Sequence, residues 1–133
     1  MQRFTELKVW QRSHVLVLQI YRLTVGFPSE ERFGLVVQLR RATLSVPTNI
    51  AEGSKREGLQ EYARFLNIAE GSLAETEYLL LVSRDLSYVT PKDVQPLLKE
   101  IDEIARMLNA LRKKVIERNR QLSIENRRSR IPT

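Results

Sequence analysis

Apolar residues recur every three or four positions along most of the chain, which is the spacing of one face of an α-helix rather than of a strand. The pattern is broken at Gly26-Phe27-Pro28, after Gly53 and at Thr90-Pro91. It predicts helices near residues 5–26, 29–53, 58–88 and 91–119. Because the connections are short, we expect consecutive helices to lie antiparallel, as an all-α, up-and-down four-helix bundle.

Two of the predicted helices begin with capping signals. Ser29 precedes Glu30 and Glu31, whose charges suit the positive end of a helix dipole. Thr90 places a hydroxyl before Pro91, and proline is favoured at the first helical position. These signals predict that the second helix begins at Ser29 and the fourth at Pro91.

Pro47 lies inside the predicted second helix. It has no N–H to donate to the carbonyl of Thr43 and it crowds that carbonyl, so we expect a kink near Pro47. The side chains within sequence reach of the freed carbonyl are those of Ser45, Thr48 and Asn49. The alternative is a pair of shorter helices joined by a turn.

The hexapeptide Asn-Ile-Ala-Glu-Gly-Ser occurs twice, at residues 49–54 and 67–72. The glycine of the first copy, Gly53, precedes polar residues and is predicted to end the second helix in the left-handed conformation. The glycine of the second copy, Gly71, lies in the middle of the predicted third helix. Glycine destabilises a helix interior, so we expect another backbone to pack closely against Gly71.

Apolar residues run through a full helical turn at 15–18, 35–37 and 78–82. A four-helix bundle buries one stripe per helix, and this leaves a second apolar stripe on these helices. On the first helix the predicted core stripe contains Leu7, Trp10, His14, Val17, Leu18 and Tyr21. The predicted interface with further copies of the chain contains Val9, Leu16, Ile20, Leu23, Leu79 and Leu81. The alternative is a monomer with an apolar surface.

Positive charge is concentrated at the C-terminal end. Residues 1–111 contain as many acidic as basic residues, whereas residues 112–133 contain eight basic residues and two acidic ones, which accounts for the whole net charge of +6. We therefore divide the chain into a bundle over residues 1–119 and a basic, disordered tail over residues 120–133. The candidate phosphate-binding residues are Arg40, Arg41, Lys55, Arg56, Arg112, Lys113, Lys114, Arg118 and Arg120. A solvated tail that only aids solubility is the alternative.

Composition excludes several classes of site. A chain of 133 residues fits one domain, has no cysteine and has a single histidine, His14. A thiolate or imidazole metal centre is therefore not expected, and neither is a cofactor. No phosphate-binding glycine loop or nucleophile motif is present, so we expect no enzyme activity. No membrane-spanning run or signal-peptide core is visible, which favours a cytoplasmic protein without a membrane partner.

Several segments together resemble one protein family. They are Phe4 to Trp10, Tyr21 to Pro28, Glu31 to Leu35, Gln38 to Ala42, Ser45 to Gly53, and Phe65 to Ser72 with Glu75. The pattern resembles the proteins encoded in intervening sequences of bacterial 23S ribosomal RNA genes, a family also labelled S23 ribosomal protein. The resemblance spans residues 4 to about 115, and its most specific part is the segment 47–53.

The resemblance implies a cytoplasmic bacterial protein that forms a ring, a homopentamer, and it supplies no catalytic residues. More distantly, the chain is similar to the accessory variability protein of diversity-generating retroelements. That protein is a basic pentameric bundle linked to nucleic acid and a reverse transcriptase. The more distant similarity concerns architecture rather than motifs.

Two functions remain open at this point. The first is a non-enzymatic, homo-oligomeric bundle that binds RNA or DNA electrostatically, without sequence preference, and the second is a protein–protein adaptor. A nuclease subunit is a third and weaker alternative. Salt-sensitive binding to nucleic acid distinguishes the first from the second, and metal-dependent cleavage would support the third.

Overall fold

Four α-helices and two short 3-10 turns make up the computed structural model, which describes residues 3–130. The helices are α1 (Lys8–Thr24), α2 (Leu35–Ser54), α3 (Leu59–Asp85) and α4 (Pro91–Ser129). The 3-10 turns are Phe4–Glu6 and Ser29–Glu31, and no strand occurs within the described range. The all-α prediction and the number and order of the helices are confirmed.

Each helix packs against two others. Helix α1 contacts α2 and α4, and α3 also contacts α2 and α4, which is the arrangement of a four-helix bundle. Fully buried leucine, isoleucine and valine side chains come from all four helices: Leu16, Ile20, Leu39, Val46, Ile50, Leu66, Leu80, Val94, Ile104 and Leu108. Burial of each such side chain contributes about 1.5–3 kcal/mol, so this core holds the helices together.

The largest differences from the predicted helix boundaries are at the start of α2 and at the end of α4. Ser29 starts a 3-10 turn instead of α2, which begins at Leu35. The carboxylate of Glu31 accepts a hydrogen bond of 3.3 Å from the Leu35 amide, so Glu31 does the capping that was predicted for Ser29. At α4 the prediction is confirmed, because the Thr90 hydroxyl accepts from the Asp93 amide at 3.1 Å. At its other end α4 continues to Ser129, so residues 120–129 are helical rather than disordered as predicted.

The two stripes of α1 are interchanged relative to the prediction. Val9, Leu16 and Ile20, predicted to face a neighbouring subunit, are buried within this chain, as is Leu79 on α3. The reason lies in two polar residues of the buried stripe. The hydroxyl of Ser13 donates to the carbonyl of Val9 at 2.7 Å, and that of Thr24 donates to the carbonyl of Ile20 at 2.8 Å. Burial of these two side chains therefore leaves no hydroxyl without a hydrogen bond.

The stripe predicted for the core of α1 is correspondingly open to solvent at His14, Leu18 and Tyr21. Trp10 is half-buried, and of this stripe Val17 alone is buried in the core. The two remaining predicted interface residues, Leu23 and Leu81, are also half-buried. The interface predicted for α1 is therefore wrong at its central positions.

Helix α2 is continuous through Pro47, so the alternative of two shorter helices is wrong. Side chains do bond to the backbone here, but not to the carbonyl of Thr43. Thr48 donates to the carbonyl of Leu44, and Asn49 donates to that of Ser45, both at 2.8 Å. A bend at Pro47 stays a prediction.

Neither repeated glycine has the role predicted for it. Gly53 is buried inside α2, and a Cβ atom on it would lie 2.7 Å from the Cβ atom of Phe65 and 3.1 Å from Cδ1 of Tyr62. A Cβ atom on Gly71 would meet nothing within 4 Å. Within the described range no glycine has a positive φ, so Gly53 does not end α2 in the left-handed conformation. Gly53 therefore permits the close approach of α3, which was predicted for Gly71.

Candidate nucleic-acid interface

The nine candidate basic residues fall into two regions of the bundle. Arg40 and Arg41 lie in the first part of α2, close to the end of α1, where they line a groove together with Tyr21. Lys55 and Arg56 lie at the opposite end of α2. There a cleft is lined by Arg56, by the start of α3 and by Leu111 of α4, so Lys55 and Arg56 are close to the cluster that begins at Arg112. The structure therefore groups seven of the nine residues at one end.

Three of the nine candidate residues, all of them arginines, are engaged within the chain. The Nε atom of Arg112 on α4 lies 3.1 Å from both carboxylate oxygens of Glu70 on α3, and both side chains are largely shielded. Arg120 forms an exposed ion pair with Glu117 at 2.9 Å, which is worth little in stability. Arg40 donates to the Thr24 hydroxyl at 2.8 Å and lies over the Tyr21 ring. Arg112 and Arg40 are thus structural links between helices.

Five of the nine are exposed and make no side-chain hydrogen bond or ion pair within residues 3–130. They are Arg41, Lys55, Lys113, Lys114 and Arg118. The ninth, Arg56, is also exposed, and its guanidinium lies 4.7 Å from the centre of the Phe65 ring. Such cations can contact phosphate without breaking an internal bond. Lys113, Lys114 and Arg118 are the strongest candidates because they share one end of α4.

Acidic residues near this end are partly neutralised. Glu61, in the first turn of α3, accepts a hydrogen bond of 2.7 Å from Arg64. That hydrogen bond and the positive charge of Arg64 lower the pKa of Glu61 below its ordinary value. The carboxylate therefore stays ionised at neutral pH and stays paired with Arg64, so its charge opposes an incoming phosphate less than an unpaired one would.

The continuation of α4 adds basic residues that the sequence reasoning left out. Lys113, Arg120 and Arg127 are seven residues apart, about two helical turns, and so they lie on one face of α4. Arg128 is also exposed. The charge count of the C-terminal end already showed these basic residues. Because the tail was predicted to be disordered, they could not be assigned to one face of a helix. The helix to Ser129 supplies that face.

A second set of ion pairs joins α1 to α4. Arg12 donates to both carboxylate oxygens of Glu100, with Nε 3.0 Å from Oε2, and lies 3.9 Å from Glu103. The hydrogen bond to Glu100 raises the pKa of Arg12, and the negative charges of both glutamates add to the effect against the opposing cost of burial. Arg12 therefore fastens α1 to α4 and is not free to bind a partner.

The single histidine lies at the surface beside an aromatic ring. His14 was predicted to lie in the core, but it is exposed and stacks on Trp10 with 5.2 Å between ring centres. Among the described residues no group of three or more histidine or acidic side chains could hold a metal ion. None of the helices there combines the length and the hydropathy that crossing a membrane requires.

Sequence comparison assigns the fold to a family. Residues 5–110 match the profile of a family described as 23S rRNA-intervening sequence protein, which is most of the chain. The chain belongs to this family. The family resemblance seen in the sequence is thereby confirmed. The family description names no reaction.

A solved structure of the S23 ribosomal protein family has a similar fold. It is a protein of unknown function from Bacteroides thetaiotaomicron VPI-5482, 25% identical in sequence, with a TM-score of 0.71. The similarity covers 79% of this chain and 98% of that one. No curated protein matches the chain in sequence.

The boundary of the family match divides the candidate site. Arg40, Arg41, Lys55 and Arg56 lie within the matched residues 5–110, whereas the basic residues from Arg112 onward lie beyond them. The basic end of α4 is therefore an addition to the part of this chain that the 23S rRNA-intervening sequence family profile describes.

Proposed function

We propose that the chain is a non-enzymatic, homo-oligomeric bundle of the bacterial cytoplasm that binds RNA or DNA through phosphates without reading base sequence. The observation that carries the proposal is the exposed basic end of α4, where Lys113, Lys114 and Arg118 have no internal partner within residues 3–130. Phosphate contacts supply most non-specific affinity for nucleic acid. No shaped pocket is needed for such binding.

The proposed assembly is an up-and-down antiparallel bundle, bent at Pro47, arranged with its copies in a ring. The antiparallel arrangement is supported by contacts at both ends of the bundle. Leu23 near the end of α1 lines a cleft with Asp93 at the start of α4, and Leu7, just before α1, lines one with Leu111. A ring of five chains, each of net charge +6, would gather thirty positive charges and bind phosphates through multiplicity.

Neutralising three exposed cations of α4 is expected to weaken nucleic-acid binding. In the variant Lys113→Gln/Lys114→Gln/Arg118→Gln, each lost phosphate contact reduces the slope of log affinity against log salt by about 0.7–0.9. Affinity for a labelled RNA and a labelled DNA at low salt should fall by at least about tenfold. Fluorescence anisotropy at salt concentrations from about 50 to about 200 mM measures both quantities.

The matched control removes the same number of positive charges at positions outside the candidate site. Arg22, Lys92 and Lys99 are exposed and have no side-chain partner in the described range, so Arg22→Gln/Lys92→Gln/Lys99→Gln should bind nearly as well as the unaltered protein. Equal losses in both variants would show that only total charge matters. Absence of binding by the unaltered protein at low salt would remove the proposed function. Truncation after residue 111 is a poorer test, because it would also delete the buried Val115.

A protein–protein adaptor is the second candidate, and exposed apolar side chains favour it. Val25, Phe33 and Tyr78 are each more than half exposed. An adaptor would need no phosphate contacts. If the protein is an adaptor, the variant Lys113→Gln/Lys114→Gln/Arg118→Gln should therefore bind its protein partner as well as the unaltered protein does. A reverse transcriptase, suggested by the distant resemblance, would be a partner of this kind.

A further inference from the structure

Gly71 occupies a position where glycine has no use within a single chain. It lies in the middle of α3, is exposed, and would have open space around an added Cβ atom. Glycine there costs about 1 kcal/mol of helix stability relative to alanine. Because no part of the described chain approaches Gly71, the cost is offset only if something outside this chain approaches it closely.

The surface around Gly71 points to a packed contact. Ile68, Gly71, Glu75 and Tyr78 follow one another at intervals of three and four residues, so they form one outward stripe, here called the α3 stripe. Ile68 is 39% exposed and Tyr78 is 64% exposed. Two apolar side chains thus flank a glycine at which another helix could come close. The carboxylate of Glu75 has no partner within residues 3–130.

A complementary surface lies on the other side of α2. The groove between α1 and α2 has a volume of about 530 Å³ and is here called the α1–α2 groove. Its apolar residues are Tyr21, Val37 and Leu44, each between 37% and 46% exposed. Arg41 lines the same groove and has no side-chain partner in the described range. The groove thus offers apolar surface and one free cation.

We propose that the α3 stripe of one copy docks into the α1–α2 groove of the next. Ile68 and Tyr78 would fill the apolar groove, Glu75 would pair with Arg41, and Gly71 would let the two backbones approach. The inference rests on the self-association in the proposed function and adds its interface. Nucleic acid fits the α3 stripe less well, because Glu75 would repel phosphate.

This contact uses two different surfaces of the same molecule. The stripe is on α3, whereas the groove is formed by α1 and α2, so one copy cannot fill its own groove. An interface of this head-to-tail kind repeats from subunit to subunit and closes into a ring when the rotation between neighbours allows it. One stripe and one groove on each copy are thus enough for a repeating contact, and a ring is the form in which that contact closes.

Charge exchange across the contact tests the proposal. Arg41→Glu and Glu75→Arg should each weaken self-association by at least about tenfold, because each places like charges opposite each other. The double variant Arg41→Glu/Glu75→Arg should recover most of the loss, since it restores the pair in reverse. Sedimentation velocity at micromolar protein measures the mass, which for the unaltered protein should be a multiple of 15.5 kDa.

Gly71→Gln supplies a second and independent test. Glutamine favours a helix more than glycine does, so the single chain should keep its fold by circular dichroism while the assembly dissociates. Glu77→Arg is the control, because Glu77 is exposed on the same helix but outside the α3 stripe.

The outcomes separate this proposal from the function on which it rests. A monomeric unaltered protein would remove both the assembly and this interface. An oligomer whose mass is unchanged in all three single variants would overturn the interface and leave self-association in place. An oligomer that persists while Arg41→Glu loses RNA binding would assign the groove to nucleic acid instead. Failure of the double variant to recover would show that Arg41 and Glu75 do not meet.

Discussion

Leu16→Glu is expected to unfold the bundle. Leu16 is 0% exposed and lies in the core that all four helices share. The substitution removes a buried apolar side chain and introduces a carboxylate with no partner, at a combined cost of more than about 4 kcal/mol. Whole domains are stable by only about 5–15 kcal/mol, so most of the helical signal should be lost. Circular dichroism with urea titration measures the loss.

Leu18→Glu is the matched control for Leu16→Glu. Leu18 is on the same helix but is 40% exposed, so a carboxylate there stays hydrated and should change the unfolding free energy by less than about 1 kcal/mol. The pair of variants reports which stripe of α1 faces the core. A Leu16→Glu protein that kept the unfolding midpoint of the unaltered chain would contradict the packing described for α1.

Gly53→Ala is expected to destabilise the protein although alanine favours helices. The added Cβ atom would lie 2.7 Å from the Cβ atom of Phe65, which is fixed to the backbone of α3 and cannot rotate away. Helices α2 and α3 must therefore separate, at a cost of about 1–3 kcal/mol. The gain in helix propensity is about 1 kcal/mol, so we expect a net loss of up to about 2 kcal/mol in unfolding free energy.

The same substitution at the second copy of the repeat has the opposite expected sign. Gly71→Ala meets no atom within 4 Å, so the stability of the single chain should rise by up to about 1 kcal/mol. Urea unfolding at two protein concentrations separates this gain from any effect on subunit association. Equal changes for Gly53→Ala and Gly71→Ala would contradict the close packing at Gly53.

The different surroundings of the two repeated glycines mark a limit of prediction from the sequence. Both lie in the same hexapeptide, so their local sequence cannot distinguish them. What distinguishes them is the distance to α3 at Gly53 and the open space at Gly71, and both depend on how the helices pack. The helical spacing, by contrast, is a local property, and it predicted the number and order of the helices. The Thr90-Pro91 capping signal is equally local, and it predicted the start of α4.

The stripes of α1 illustrate a similar limit. The apolar spacing placed Trp10, Leu18 and Tyr21 on the core face of α1. The face that is buried instead contains Ser13 and Thr24. Their hydroxyls are satisfied by the helix's own carbonyls, which makes that face suitable for burial. A hydrophobicity pattern treats such residues as polar, although their hydrogen bonds are already made.

The sequence predicted which basic residues belong to the candidate site, but not which of them are free of internal hydrogen bonds and ion pairs. The charge count located the basic end of the chain correctly, yet it could not tell that Arg112 is paired with Glu70 or that Arg40 is bonded to Thr24. These pairings need two helices to be side by side. Lys113 and Lys114 are only one and two positions from Arg112 in the sequence. They are nevertheless exposed, whereas Arg112 faces α3 and pairs with Glu70.

The length of α4 links the helical content of its last residues to the binding of phosphate. Val115 is its last buried residue, so residues 116–129 hold their helix through local hydrogen bonds rather than through a core. Isolated helices shorter than about 12–15 residues are marginal in water. Repulsion among the cations there opposes the helix, and phosphate relieves that repulsion. We therefore expect the helical content of residues 116–129 to rise when anions bind or when ionic strength increases.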